Sequence, residues 1–287
     1  MKYRFMDLHG SGFEVRKMAE VLGVHRSGYY AYREQKTGPR AKENDKLRER
    51  IRQVWTKSRK LYGSPRITAE IRSQGQPVGE NRVARLMRED GIRSRSRKAF
   101  KVTTRSSSLS PFAEDLVQRQ FKTEKPGKIW ISDITYVWTR EGWMYLAAVM
   151  DIFNREIVGW SLRDRINEEL ALSALNQGLW RHPPENGLIF HTDRGGQYRS
   201  RAVQRLLNLR GIRPSQGHRG DCYDNAMAES FFSTFKCELI HLEKFQTKAE
   251  AHLKIYDFIE VYYNRERRHS ALNYQTPVEY VNAAILP

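Results

Sequence analysis

The feature that most restricts what this chain can fold into is a change of hydrophobic period that begins near residue 126. Three strand patterns follow one another closely, over residues 129–138, 143–150 and 156–162, with turn residues at 151–155. The spacing then becomes helical over 168–180, returns to a short apolar strand at 188–191, and is helical again over about 201–209. Adjacent strands followed by alternating helix and strand predict a mixed sheet flanked by helices.

Three carboxylates fall at informative places in this pattern. Asp133 interrupts the apolar run IWISDITYV at 129–137, and Asp193 ends the strand pattern LIFHTD at 188–193. Glu229 lies in NAMAESFF at 225–232, a helical pattern, with thirty-five residues between it and Asp193. Each acid alone has an ordinary reading as a strand alternate, a turn residue or a solvent-facing helix residue. Together they suggest a phosphoryl-transfer site, because hard divalent cations take a few carboxylate oxygens and complete their shell with water and substrate phosphate. On the same helix Met227, Phe231, Phe235 and Leu239 form an apolar stripe, while Ala226, Glu229, Ser233 and Lys236 share another face. Lys236 stands two turns beyond Glu229, about 10 Å along the axis, where a cation could hold substrate phosphate. Asp224 or Asn225 is expected to cap the helix, with Asp221 in the loop before it. Asp151, at a strand end, is a rival carboxylate but reads better as a turn acid beside Asn154. His191 shares the strand of Asp193 and either supports the ligands or contacts substrate, or is a core histidine.

Charge divides the chain differently. The formal net charge is +17, and residues 1–110 hold 27 Lys and Arg against 11 Asp and Glu, whereas residues 111–287 hold 23 against 22. Nearly all the excess therefore lies in the first 110 residues, as expected if they grip a phosphate backbone. Within them, residues 14–34 read as two short helices joined at 23–25, which fits a helix-turn-helix or a docked helical hairpin. A second helical unit follows: a helix capped at Asn44 or Asp45 with Leu47, Ile51, Val54 and Trp55 on one face, another around 67–72, and a third over 82–90. In the third, Val83, Leu86 and Met87 turn inward and Arg82, Arg85 and Arg88 outward. Residues 92–110 lack a period and carry Arg93, Arg95, Arg97 and Lys98, so they read as a basic linker that tracks DNA or as a solvated tether. The two cysteines, Cys222 and Cys237, lack zinc-site spacing and fit a reduced, cytosolic setting. No apolar run approaches the length of a membrane span.

The strings YGSPR at 62–66, WISDITYV at 130–137, HTDRGGQY at 191–198, DNAMAE at 224–229, Lys236, YNRERRHSAL at 263–272 and Thr276-Pro277 run over essentially the whole chain. In this combination the chain resembles the second-frame (OrfB) transposases of bacterial insertion sequences, which are similar to retroviral integrases of the DDE group. The resemblance implies a ribonuclease H-like five-stranded core preceded by all-α helix-turn-helix DNA-binding modules. It also implies Mg2+ (with Mn2+ substituting) as a pair of ions held by Asp133, Asp193 and Glu229, and cutting and joining of DNA at the element's ends. By the same resemblance Lys236 touches the DNA end; His191, Gln197, Tyr198 and Asn225, which lie near the three acids in sequence, are candidates to support the ligands. The implied partners are double-stranded DNA carrying terminal repeats and target, further copies of the chain on that DNA, and the upstream-frame product of the same element. The implied setting is the bacterial cytoplasm, at the nucleoid. The zinc domain that begins retroviral integrases has no counterpart in these spacings.

The expected division is 1–38 helix-turn-helix-like, 39–92 helical and DNA-binding, 93–124 basic linker, 125–242 catalytic core and 243–287 helical extension. Two other functions fit parts of the pattern: a hydrolytic ribonuclease H-like nuclease, which would never join strands, and a non-catalytic DNA-binding regulator using the basic first 110 residues. Whether the basic loop 265–269 touches DNA or packs on the core is open from sequence.

Overall fold

The period change at residue 126 is realised as a five-stranded sheet. The computed structural model describes residues 1–95, 113–117, 123–184, 187–193, 195–217 and 226–285, which fall into two units, Met1–Ser94 and Arg95–Pro287.

In the second unit, β1 (Ile129–Thr139), β2 (Gly142–Asp151) and β3 (Ile157–Arg163) form the antiparallel meander, and β4 (Ile189–Thr192) and β5 (Arg213–Gln216) add in parallel beside β1. The order across the sheet is β3-β2-β1-β4-β5. The fifth strand has only four residues and contains Pro214, so it shows no period of its own; a proline is tolerated because the strand is at an edge.

One face of the sheet packs on α7 (Glu168–Arg181) and α8 (Arg201–Leu209). Strand alternation sends Trp130, Ala147, Val149 and Phe190 into this layer, where they meet Leu170, Ala174, Leu175, Val203 and Leu207. The helix and sheet approach closely at Gly159 on β3, where a Cβ would stand 2.6 Å from the Gly178 amide nitrogen. Outside that layer, α9 (Ala226–Phe235) packs against β1 and continues into a wider-wound π-helical turn, Lys236–Ile240. The tail follows as α10 (Lys248–Tyr256), a π-helical stretch Asp257–Glu266, a short 3-10 turn Ser270–Leu272 and α11 (Pro277–Ile285). A reciprocal cap starts α11: the Glu279 amide donates to Thr276 Oγ1 at 3.1 Å and the Thr276 amide to Glu279 Oε2 at 2.8 Å.

The first unit is all helix: α1 (Lys2–Leu8), α2 (Val15–Val21), α3 (Arg26–Thr37), α4 (Pro39–Lys57), α5 (Ser64–Ser73) and α6 (Glu80–Glu89). Met6, Met18, Ala19 and Tyr29 join the first three, so a helix precedes the expected pair. Leu47, Ile51, Val54, Ile67, Ile71, Val83, Leu86 and Met87 join the last three. The expected cap at Asn44 or Asp45 is corrected: α4 starts earlier, after Gly38, with Pro39 in its first turn, where a missing N–H costs nothing. Likewise Pro65 lies inside the first turn of α5. Among the described residues no helix is long and apolar enough to cross a membrane.

Candidate active site

Two of the three acids are brought together by strand register. On β1 and β4 Ser132 pairs with Thr192, so continuing the register by one residue sets Asp133 beside Asp193, on strands about 4.8 Å apart. At this level β4 ends while β1 runs on to Thr139. Asp133 is therefore mid-strand and half-buried, whereas Asp193 projects from a strand end into a turn closed by the Gly195 amide, which donates to its Oδ1 at 2.9 Å.

The third acid arrives on α9. The apolar stripe is buried as expected, with Met227, Phe231, Phe235 and Leu239 all inside, and this turns Glu229 and Ser233 outward in the first two turns. Glu229 is exposed and Lys236 half-buried, yet both act on Asp133. The Asp133 carboxyl is raised to about 7, first by burial, then by the charges of Asp193 and Glu229, against the Ile134 amide and Lys236, which lower it. Asp193 is exposed as a residue, but the packing around its carboxyl strips it of water and raises it as well, against the Gly195 hydrogen bond. Asp193 and Glu229 thus both bear on the Asp133 carboxyl. The three acids do not form a closed cage: among the described residues no three His, Cys, Asp or Glu side chains stand together closely enough to hold a metal ion. The donor set nevertheless fits a hard divalent cation, being all carboxylate and carrying negative charge that its surroundings do not balance.

Tyr198 sits beneath the acids. Its hydroxyl lies 2.8 Å from Ser132 Oγ, and it is pushed well above the usual phenol range by burial and by Asp193 and Asp133, which keeps it neutral. Gln197 folds over Gly195 in the Asp193 turn. His191 is buried, with Nδ1 2.9 Å from Ser215 Oγ and 4.0 Å from Asp115 Oδ1. Ser215 Oγ also accepts the Leu116 amide at 2.9 Å, so His191 helps fasten residues 113–117 to the sheet. Two residues escaped sequence reasoning. Ser132 was visible only as a polar alternate, and Gln216, whose Nε2 donates to the Asp193 carbonyl at 3.5 Å, lies on the strand that had no period.

Asp151 is not a ligand of this site. Its carboxylate accepts the Gly127 amide at 2.6 Å, the Phe153 amide at 2.9 Å and Trp130 Nε1 at 3.1 Å, which makes it a turn acid. In the first unit, Arg85 faces outward and meets Glu89 at 2.7 Å, and Arg93 is exposed; Arg95, which begins the second unit, is exposed as well. Arg82 corrects the helical-wheel expectation. It is half-buried, with Nε donating to Asn44 Oδ1 at 3.0 Å and Nη2 to Glu43 Oε2 at 3.2 Å, because α4 lies against that side of α6. Arg97, Lys98, Asp221, Asp224 and Asn225 lie outside the described residues.

With this geometry in view, residues 123–222 and 210–277 match the integrase core domain family, and residues 42–100 match the HTH-like domain family. Transposase InsF for insertion sequence IS3A of Escherichia coli (strain K12) is 39% identical over 287 residues, covering 98% of this chain and 99% of the relative. The chain belongs to the insertion-sequence transposases. The Insertion element IS600 uncharacterized 31 kDa protein of Shigella sonnei is 36% identical, over 92% of this chain and 97% of that protein. Among solved structures, the HTLV-2 integrase catalytic core domain in complex with magnesium (trimeric form) matches at 16% identity and a TM-score of 0.42, covering 54% of this chain and 97% of that chain. As an insertion-sequence transposase with an integrase core, this protein acts on DNA as a polynucleotidyl transferase.

Proposed function

We propose that Asp133, Asp193 and Glu229 are the catalytic carboxylates, that they hold divalent cations, Mg2+ or Mn2+, as a pair, and that the reaction is strand cleavage followed by strand transfer at the ends of the element. The observation that carries this reading is the field at Asp133, whose carboxylate is opposed by burial, Asp193 and Glu229 and favoured by the Ile134 amide and Lys236. Bound cations would supply positive charge to activate the attacking water or DNA 3′-hydroxyl and to stabilise the leaving oxygen. The chain's own residues do the rest. Asp133 gives up its proton as the site fills, the Gly195 amide orients Asp193, and neutral Tyr198 supports the strand through Ser132. Lys236, on the helix of Glu229, attracts the phosphate next to the scissile bond. Cutting and joining use the same residues, because only the nucleophile changes.

The basic first 110 residues fit the grip on duplex DNA, with helices 39–92 and the linker 93–124, including Arg85, Arg93, Arg95, Arg97 and Lys98, following the phosphate backbone. Several copies on one DNA, together with the upstream-frame product of the element, would bring two ends together, in the bacterial cytoplasm. The test uses a labelled duplex carrying the element's terminal repeat. Asp133→Asn, Asp193→Asn and Glu229→Gln are each expected to lose cleavage and joining while duplex binding stays within about twofold. Turnover retained by any variant removes that residue from the site, and products cut but never joined would favour the hydrolytic nuclease.

A further inference from the structure

The tail string YNRERRHSAL is not used by any of the chemistry above, and Tyr263, Asn264, Arg267, His269 and Leu272 of it are buried, whereas Arg265, Glu266, Ser270 and Ala271 are exposed. Asn264 is 4% exposed, Arg267 5% and His269 5%, so these tail residues are packed rather than offered to solvent. Arg267 forms a bidentate pair with Glu238, Nε to Oε2 and Nη2 to Oε1, both at 2.8 Å. Tyr262 donates its hydroxyl to the same Glu238 Oε2 at 3.1 Å. Glu238 lies in the π-helical turn that ends the α9 segment, nine residues after Glu229 and two after Lys236. The tail also grips the body of α9, since the Tyr263 ring meets Phe231 edge-on at 4.9 Å and Phe258 meets Phe235 at 5.5 Å. Asn264 holds the sheet in turn: its Oδ1 accepts the Ile157 amide at 2.9 Å, and its Nδ2 donates to the Ile157 carbonyl at 3.0 Å.

From this we infer that the segment 262–269 is a tie that sets the helix of Glu229 against the sheet of Asp133, and that Arg267, acting through Glu238, is a positioning residue for strand cleavage and joining. The inference rests on Glu229 being catalytic, as proposed above. Two parallel charge-assisted bonds fix direction as well as distance, which a hydrophobic contact does not. The axial position of α9 decides where Glu229 sits, and displacements of about 1 Å at a reacting group can cost on the order of a hundredfold in rate. A buried pair is not needed for stability alone, because apolar replacement of both partners is often neutral.

That last point supplies the experiment. Arg267→Met alone leaves a buried carboxylate unpaired and is expected to melt early, so in a Tyr262→Phe parent, which has no buried hydroxyl to lose its Glu238 acceptor, it is combined with Glu238→Met, which restores the melting temperature. Single-turnover cleavage is then measured at saturating terminal-repeat duplex, with duplex affinity measured separately. For a positioning role the double variant stays about tenfold to a hundredfold slow while its affinity and melting temperature match the parent. Return of the parental rate would reduce the pair to a structural one and overturn the inference. Should the double variant not fold, Arg267→Lys keeps the charge but not the paired geometry. It is expected to be slow at unchanged affinity, and a parental rate there also overturns the inference. Glu229→Gln is run alongside: if it turns over normally, both readings fall, whereas its loss with parental rates in the Arg267 variants sinks the tie alone.

Discussion

The Asp133 carboxyl gives the site a pH signature that can be read without DNA. In the unfolded chain an aspartate loses its proton near 4, whereas in the fold burial, Asp193 and Glu229 hold Asp133 protonated up to about 7. Between these values the folded state binds more protons, so this group's contribution to stability is present at low pH and lost as pH rises through 7. Asp133→Asn has no proton to lose. Without divalent cation its denaturation midpoint should pull ahead of the parent's as pH rises from about 5 to 8, and a constant difference would mean the carboxyl is not held this way. Asp193 is shifted in the same direction but is present in both proteins. At this scale the acids stand out in the sequence because Asp133 interrupts an apolar run, Asp193 ends one and Glu229 lies beside an apolar helical stripe. Their partners do not: Ser132 meets Tyr198 across 66 residues, and only the register of β1 with β4 brings Asp133 beside Asp193.

At the scale of elements, the contact between β3 and α7 is set by absent side chains. A methyl at Gly159 would collide with the Ala174 carbonyl oxygen and stand 2.6 Å from the Gly178 nitrogen, which are helix backbone atoms that cannot step aside. Gly159→Ala should therefore destabilise by more than about 2 kcal/mol, as read from denaturant midpoints, and a near-neutral result would show that strand and helix can slide apart. The sequence displays this as a small residue among Val158 and Trp160, without saying what approaches it. Long periodic elements were readable for the reason that local pattern dominates them. Arg82 shows the limit, because a helical wheel places it outward and α4, packed alongside, places Glu43 and Asn44 within reach. The four-residue β5 shows another, since a strand that short with a proline has no alternation to detect.

For the whole molecule, the segregation of charge predicts how DNA affinity responds to salt. Each exposed cation on phosphate should contribute about 0.9 to the slope of log affinity against log salt. Arg93→Ala and Arg95→Ala are each expected to flatten the slope by roughly that amount, and an unchanged slope removes the residue from the DNA path. Arg82→Ala should instead lower the melting temperature of the helical unit and leave the slope alone, because its charge is already met by Glu43.

The two hydrogen bonds from Asn264 to Ile157 have a consequence for solubility. β3 is an edge of the sheet, and an edge strand offers unpaired amides and carbonyls to any other extended chain. By taking both backbone groups of Ile157, Asn264 acts as a one-residue strand that cannot itself be extended. Asn264→Ala should then scatter light earlier on mild heating than its loss of melting temperature explains, because the exposed edge would let one molecule template the next.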